Sequence, residues 1–319
     1  MANALNNRQQ SVAKAASFAA LGDQSGLKKA LIGGLDAGVT VNEFKEILVQ
    51  VYAYCGFPRS LNALNTLMQT VEERGNKDAP GKEAGLKPAG DALVFGTENQ
   101  TKLTGVPVKG KLFDFAPAID EYLKAHLFGD IFARDNVDWR TRELATIAML
   151  ASRDGVESQL NAHINIGKHN GLTDEQVAGI LEIASENKAK NVVFGFGNEN
   201  TAYAKYFTGK SYLQKITTEN GVPIFNVTFE PKCRNNWHIH HGGGQILLVT
   251  QGRGWDQEWG KTARELHPGD VVNIPPETKH WHGAAKDSWF THIAVEVPSE
   301  NGSAEWLEPV SDKEYEKLK

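Results

Sequence analysis

The stretch Trp237-His238-Ile239-His240-His241-Gly242-Gly243-Gly244-Gln245 concentrates metal-binding side chains in a short length of chain. His238 and His240 are two positions apart, so in a β-strand both imidazoles lie on the same face. Gln245 begins an apolar run, and His280 follows a Pro-Pro turn farther along the chain. Two histidines from one strand, an amide oxygen from the next and a third histidine from a later hairpin can converge on one ion. Imidazole ligands favour Mn, Fe, Co, Ni, Cu or Zn over Ca or Mg.

These residues resemble the two motifs of the cupin family. The matching positions are His238, His240, Gln245 and Gly252 in the first motif and Gly269, Pro275 and His280 in the second. The resemblance implies that the metal ligands are His238, His240, Gln245 and His280. Gln245 stands where glutamate is usual. A neutral oxygen there leaves the site one positive charge richer, which makes the bound ion a better Lewis acid.

The segments His280-Trp281-His282-Gly283-Ala284 and Thr291-His292-Ile293-Ala294 resemble a subgroup of small single-domain bacterial cupins. Several of these bind manganese, and some act as hydroxynitrile lyases in which the histidine at the place of His292 is the general base. The resemblance implies manganese first, with iron, zinc, nickel and cobalt as alternatives, and His292 and His282 as catalytic groups. Two alternatives stay open: the two histidines only support the metal ligands, or the whole set packs without any metal.

Residues 1–75 and 116–200 are rich in Ala, Leu, Lys and Glu, and apolar residues recur at helical spacing. A shift of 133 positions superposes the two segments without a gap. The identical pairs are Ala15/Ala148, Gly22/Gly155, Ser25/Ser158, Leu27/Leu160, Gly34/Gly167, Gly38/Gly171, Thr40/Thr173, Ile47/Ile180 and Leu48/Leu181. Several matched Gly and Thr positions are predicted helix ends. The pattern therefore predicts an internal repeat of an α-helical unit.

The second copy resembles the carboxymuconolactone decarboxylase and alkylhydroperoxidase-D-like family through Arg142-Glu143-Leu144 and residues 157–163. Gln159 stands where the hydroperoxidases have their second redox cysteine, so thiol chemistry is not expected. Glu143, Gln159 and His163 remain. The carboxylate and the imidazole can move protons without a cofactor, which makes Glu143 and His163 candidate catalytic residues. The alternative, slightly favoured, is that the three residues form a satisfied polar cluster inside the bundle.

The predicted fold is a multidomain α and β chain, with an all-α duplicated carboxymuconolactone-decarboxylase-like domain followed by a cupin β-barrel. The predicted boundaries are a first helical repeat at 1–75, a long connecting loop at 76–115, a second helical repeat at 116–200, a cupin barrel at 205–300 and a C-terminal tail at 301–319. The loop is inferred because Gly and Pro are frequent in this segment and its charged and polar residues show no periodicity. A short strand is predicted within it at Ala92-Leu93-Val94.

Charge, hydropathy and cysteine content limit the expected binding partners, location and cysteine chemistry of the protein. The net charge of −5 argues against nucleic acid or an anionic membrane as a partner. No run approaches 18 apolar residues, and residues 1–10 lack a secretory apolar region, so we expect a cytoplasmic protein unless a signal peptide was trimmed away. The two cysteines, Cys55 and Cys233, exclude a disulfide framework and a C-x-x-C redox pair.

These observations predict a metal-dependent enzyme of lyase or decarboxylase type that acts on a small organic acid, lactone or carbonyl compound. The cupin metal would be the Lewis acid and a histidine the general acid or base. The alternatives are a cupin oxygenase and a ligand-sensing cupin on a helical oligomerisation scaffold. Because single-copy members of the helical family assemble as rings, we expect a homo-oligomer, with a trimer first and a dimer second.

Overall fold

The computed structural model describes residues 4–85 and 90–318. Its first structural unit, residues 1–187, is helical. The helices are α1 (Asn7–Leu21), α2 (Gln24–Asp36), α3 (Val41–Cys55), α4 (Phe57–Glu73), α5 (Ala92–Thr104), α6 (Lys111–Phe115), α7 (Pro117–Glu121), a π-helix (Tyr122–Ile131), α8 (Trp139–Ala151), α9 (Glu157–His169) and α10 (Asp174–Lys190). Within the described ranges, none of the helices is long and apolar enough to cross a membrane.

The two repeats start their matching helices in the same way. Thr40 and Glu43 form a capping box at the start of α3, with each side chain accepting from the other residue's backbone N–H. Thr173 and Gln176 make the equivalent pair of hydrogen bonds before α10. One apolar core then joins both copies; its members include Leu27, Leu31, Phe44, Ile47, Leu144, Ile147 and Ile180. The prediction of an all-α N-terminal part is confirmed.

The prediction of a long loop at 76–115 is wrong for residues 92–104 and 111–115, which form α5 and α6. The short strand predicted at Ala92-Leu93-Val94 is wrong as well, because those residues are the first turn of α5. Helix α5 buries Gly96, Gln100 and Leu103. A Cβ at Gly96 would collide with the backbone carbonyl of Lys124 in the π-helix. The buried face thus contains a glycine and a polar residue, so the sequence shows no apolar periodicity.

The second structural unit, residues 188–319, is built mainly from antiparallel strands. They are β1 (Asn198–Glu199), β2 (Phe207–Thr208), β3 (Ser211–Thr217), β4 (Ile224–Phe229), β5 (Arg234–Asn235), β6 (His238–His241), β7 (Gly244–Gly252), β8 (Gly254–Glu258), β9 (Arg264–Leu266), β10 (Val271–Ile274), β11 (His280–Ala284), β12 (Phe290–Val297) and β13 (Ser303–Trp306). One sheet has the order β1-β3-β4-β12-β7-β10. The other has β13-β6-β11-β5-β2, with β8 beside β11 and β9 beside β8.

The two sheets of this unit enclose an apolar cluster whose aromatic rings contact the buried histidines. Phe229, Leu247 and Phe290 belong to the apolar cluster between the sheets. The segment predicted as a tail forms β13, which pairs with β6, and a short helix, α11 (Asp312–Tyr315). Tyr315 is buried and donates its hydroxyl to the Ala284 carbonyl at 2.7 Å. The β-sheet cupin architecture predicted for the C-terminal part is confirmed, and β13 adds a strand beside the histidines.

Candidate metal and catalytic site

Strand β6 places His238 and His240 on its buried face, as a period of two requires, while His241 lies on the other face and is half-buried. His280 on β11 lies directly opposite His238 in the strand register. The ring centroid of His238 is 4.1 Å from that of His280 and 5.1 Å from that of His240. The centroids of His240 and His280 are 5.5 Å apart. The three histidines predicted as ligands therefore lie together.

Gln245, the predicted oxygen ligand, is the second residue of strand β7 and is held by Glu296 of β12. Its amide Nε2 donates to Glu296 Oε1 at 2.6 Å. The other carboxylate oxygen, Glu296 Oε2, is 3.2 Å from His240 Nδ1. Burial raises the pKa of Glu296, but the hydrogen bonds from His240 and Gln245 outweigh it and hold that pKa below its usual value. Sequence reasoning missed Glu296, although it lies four positions after His292 and so on the same strand face.

The free atoms of this group fit a metal ion. His240 Nε2, Gln245 Oε1 and both ring nitrogens of His280 are buried, and none has a hydrogen-bond partner in the described part of the chain. His238 Nδ1 is 3.0 Å from the Asn236 carbonyl, and donation of its hydrogen leaves the Nε2 lone pair free. A buried unsatisfied polar group costs about 1–3 kcal/mol. The free atoms are all nitrogen or amide oxygen, which are ligand types that suit a divalent transition metal.

His282, predicted as catalytic, also lies close to these ligands. His238, His280 and His282 can offer nitrogen atoms that all lie within 4.8 Å of one another. However, Asn235 Nδ2 approaches His282 Nε2 to 3.1 Å, and Asn235 Oδ1 accepts from the His282 backbone N–H at 2.9 Å. Proximity thus favours His282 as the third histidine ligand, whereas the free lone pair favours His240. The assignment to His240 rests on its free lone pair, because a lone pair forms the bond to a metal.

His292, predicted as the general base, is fully buried on β12, beside a bulge between Thr291 and His292. Neither of its ring nitrogens has a hydrogen-bond partner among the residues that the structure describes. Its ring lies perpendicular to that of His282, with centroids 4.9 Å apart. Burial lowers the pKa of His292 to about 3, and burial followed by the nearby His240 lowers that of His280 to about 3. Both imidazoles are therefore neutral near pH 7 and keep a lone pair.

A cavity of about 240 Å³ lies between the sheets, in front of these side chains. Its polar lining includes His238, His240, Gln245, His282, His292 and Glu296. Its aromatic lining includes Tyr203, Phe207, Phe225 and Trp306. Trp306 stacks on His238, with centroids 4.7 Å apart and ring planes 24° apart. Sequence reasoning missed Trp306 because it lies in the predicted tail, and only the pairing of β13 with β6 brings it to the site.

The helical unit brings Glu143 and His163 together. Glu143 is fully buried, and its Oε2 is 2.7 Å from His163 Nδ1. Glu143 Oε1 and the Tyr54 hydroxyl are buried, and neither has a hydrogen-bond partner in the described ranges. The Tyr54 ring lies edge-on to His163, with centroids 5.3 Å apart. The predicted inclusion of Gln159 in this cluster is wrong, because Gln159 is exposed in the first turn of α9, where it accepts from Ser158.

Comparison with known proteins identifies the families to which the two structural units are similar. Residues 1–68 and 117–192 match the carboxymuconolactone decarboxylase family, and residues 225–295 match the cupin domain. An (R)-mandelonitrile lyase from Granulicella tundricola is 47% identical over 90 residues, which are 28% of this chain and 68% of that protein. A cupin-like protein of known structure from Thermotoga maritima is 45% identical, with a TM-score of 0.37; the match covers 40% of this chain and 96% of that one.

The matches divide the chain as its structure does. The cupin match falls within the β-sheet unit and includes every predicted metal ligand. The carboxymuconolactone decarboxylase match falls on both helical repeats and includes Glu143 and His163. The chain belongs to the cupin family through its C-terminal unit, and its N-terminal region is a helical domain of the carboxymuconolactone decarboxylase family.

Proposed function

We propose that the β-sheet unit is a metal-dependent lyase that splits an aromatic 2-hydroxynitrile into an aldehyde and hydrogen cyanide. The observation that carries this proposal is the set of buried acceptor atoms on His240, Gln245 and His280 that have no hydrogen-bond partner among the described residues. The ring nitrogens of His292 likewise have none there, and His292 lines the same cavity as His240 and Gln245. The similarity to a mandelonitrile lyase supports the reaction class. A cavity of about 240 Å³ suits a small substrate, since it is below the range of about 300–1,000 Å³ typical of larger ligands.

The proposed metal ligands are His238, His240, Gln245 and His280, with manganese as the first choice and iron, zinc, nickel or cobalt as alternatives. When bound, a divalent ion supplies Lewis-acid polarisation of the substrate oxygen. Gln245 contributes no charge, so the ligand set is neutral and leaves the full positive charge of the ion available to that oxygen. Glu296 accepts a hydrogen bond from Gln245, and its second carboxylate oxygen lies 3.2 Å from His240 Nδ1.

His292 is the proposed general base. Its neutral imidazole accepts the proton of the substrate hydroxyl, the C–O bond becomes a carbonyl, and the bond to the nitrile carbon breaks. Cyanide leaves with the bonding electrons and takes the proton from the His292 imidazolium, so no oxidant or reductant is needed. His282, held by Asn235, packs perpendicular to His292 and keeps the His292 ring in place.

The test is to follow aldehyde release from racemic mandelonitrile by the manganese-loaded protein, with chelator-treated protein as the control. We expect release that depends on the metal and favours one enantiomer. Release no faster than in the chelated sample would exclude the proposal. Oxygen uptake on substrate addition would indicate the oxygenase alternative, and a ligand that stabilises the fold without turnover would indicate a sensing cupin.

Trp306 is expected to set the preference for an aromatic substrate, because it forms part of the cavity wall beside His238. Trp306→Ala should raise KM for mandelonitrile by about tenfold. The variant loses the aromatic pair between Trp306 and the substrate ring, which contributes about 0.5–1.5 kcal/mol, and the apolar area buried in that contact. KM for an aliphatic hydroxynitrile should change less. Trp259→Ala is the matched control, since Trp259 is 57% exposed and is not part of the cavity lining. Equal losses for both substrates would contradict this role.

The helical unit is proposed to take no part in the cleavage step. Glu143→Gln and His163→Gln should leave mandelonitrile cleavage within twofold of wild type, and should destabilise the fold by about 1–3 kcal/mol, because each weakens a buried hydrogen bond to a charged group. Activity and thermal unfolding of both variants check this. Glu143 Oε1 has no hydrogen-bond partner within the described ranges, which favours a separate proton-transfer site in this unit. A tenfold loss of cleavage in both variants would show that the pair contributes to the lyase reaction.

A further inference from the structure

We propose that Glu296 is a positioning residue that sets the hydrogen-bonding state of two metal ligands at once, His240 and Gln245. This inference rests on the metal site proposed above. One carboxylate oxygen accepts from Gln245 Nε2 at 2.6 Å, and the other lies 3.2 Å from His240 Nδ1. Each oxygen of Glu296 thus has its own partner, and both partners are proposed ligands of the same ion.

The effect on Gln245 follows from the chemistry of an amide. An amide has one oxygen that can bind a cation and one NH2 group that cannot. Because Glu296 has only acceptor atoms when ionised, the NH2 group of Gln245 must face it. The oxygen, Gln245 Oε1, is then the atom that is buried and has no hydrogen-bond partner among the described residues. With a donor in place of Glu296, the amide would turn over and point its NH2 group towards the ion.

The effect on His240 follows from the two tautomers of imidazole. An acceptor next to Nδ1 requires the proton on Nδ1, and the lone pair is then on Nε2. His240 Nε2 is the buried nitrogen that has no partner in the described part of the chain. Glu296 therefore selects the tautomer that can bind a metal through the nitrogen that remains free.

The strand pairing explains why one carboxylate reaches both ligands. Glu296 on β12 and Gln245 on β7 are directly opposite each other in the same sheet. His240 belongs to β6 in the other sheet. The two contacts of the Glu296 carboxylate therefore join the two sheets at the ligand set. An amide at position 296 cannot replace them, since it has a single acceptor oxygen for two donors.

The test begins with Glu296→Gln, which keeps the size of the side chain. We expect the Kd for Mn²⁺, measured by chelator competition, to rise about 10–100-fold, as for other residues that orient metal ligands. In metal-free protein, nitrogen NMR of the His240 ring should show a shift from the Nδ1–H tautomer towards Nε2–H. Glu277→Gln is the matched control, because Glu277 contacts His241 Nδ1 at 2.6 Å in the same manner, outside the ligand set. The Kd of the Glu277→Gln variant for Mn²⁺ should stay within twofold of the wild-type value.

The double variant Gln245→Glu/Glu296→Gln provides a rescue. The introduced amide can accept from His240 Nδ1 and donate to the introduced carboxylate, which keeps a second oxygen for the ion. We expect the double variant to recover most of the affinity that Glu296→Gln loses. The inference is overturned if Glu296→Gln changes neither the Kd beyond twofold nor the His240 tautomer, or if the double variant binds as weakly as Glu296→Gln. If wild-type protein binds no divalent metal, the proposed metal site fails, while the tautomer measurement still tests Glu296.

Discussion

Replacing His240 with alanine is expected to remove nearly all bound metal and, with it, mandelonitrile cleavage. The substitution deletes one of four proposed donors and leaves Glu296 without its partner from the opposite sheet. Residues that only orient ligands contribute about 10–100-fold to metal affinity. Loss of a ligand itself should therefore weaken Mn²⁺ binding by at least about 100-fold. Elemental analysis after dialysis against metal-free buffer measures the occupancy.

His241→Ala is the matched control, since His241 is the next residue of β6 but lies on its other face. Its ring contacts Glu277 and Glu305 at 2.6 and 2.9 Å. This variant should keep the wild-type metal content. His282→Ala distinguishes between the two sets of histidine ligands that the geometry allows, in which the third histidine is either His240 or His282. If His282→Ala loses the metal while His240→Ala retains it, the ion is held by His238, His280 and His282, and our assignment is wrong.

The sequence predicts those residues of this site whose positions depend only on neighbours that are close along the chain. A period of two places His238 and His240 on one strand face whatever the rest of the fold does. Glu296 and Trp306 could not be assigned in this way, because their positions depend on the pairing of β12 with β7 and of β13 with β6. Such pairings join residues far apart in sequence, and a one-residue change in register would reverse every side chain.

In the helical unit, too, the sequence predicts local features but not those that depend on packing between distant segments. Capping residues predict helix starts because the interaction is local, as at Thr40 and Thr173. Helix α5 was missed because the packing of Gly96 against the π-helix, rather than an apolar stripe, determines its buried face. Gln159 was misplaced because a spacing of four residues predicts a shared face but does not predict how deeply each end of the helix is buried.

His292→Ala is expected to retain the metal and lose catalysis. The side chain removed is fully buried, and neither of its ring nitrogens has a partner among the described residues. A general base contributes about 10²–10⁴-fold to a rate, so kcat should fall by that factor. Metal content should stay close to that of wild type, because the four proposed ligands remain. Steady-state kinetics together with elemental analysis separates the two effects.

The pKa of His292 also determines the conditions of this experiment. Burial lowers that pKa to about 3, so the imidazole is neutral at all pH values well above 3 and becomes protonated only below it. An assay near pH 5 therefore keeps the base active in wild-type protein. If His292 transfers the proton, added imidazole should enter the space left in His292→Ala and restore part of the rate. A variant that keeps wild-type kcat, or one that loses its metal, would show that His292 is not the base, and His282 would then be the next candidate.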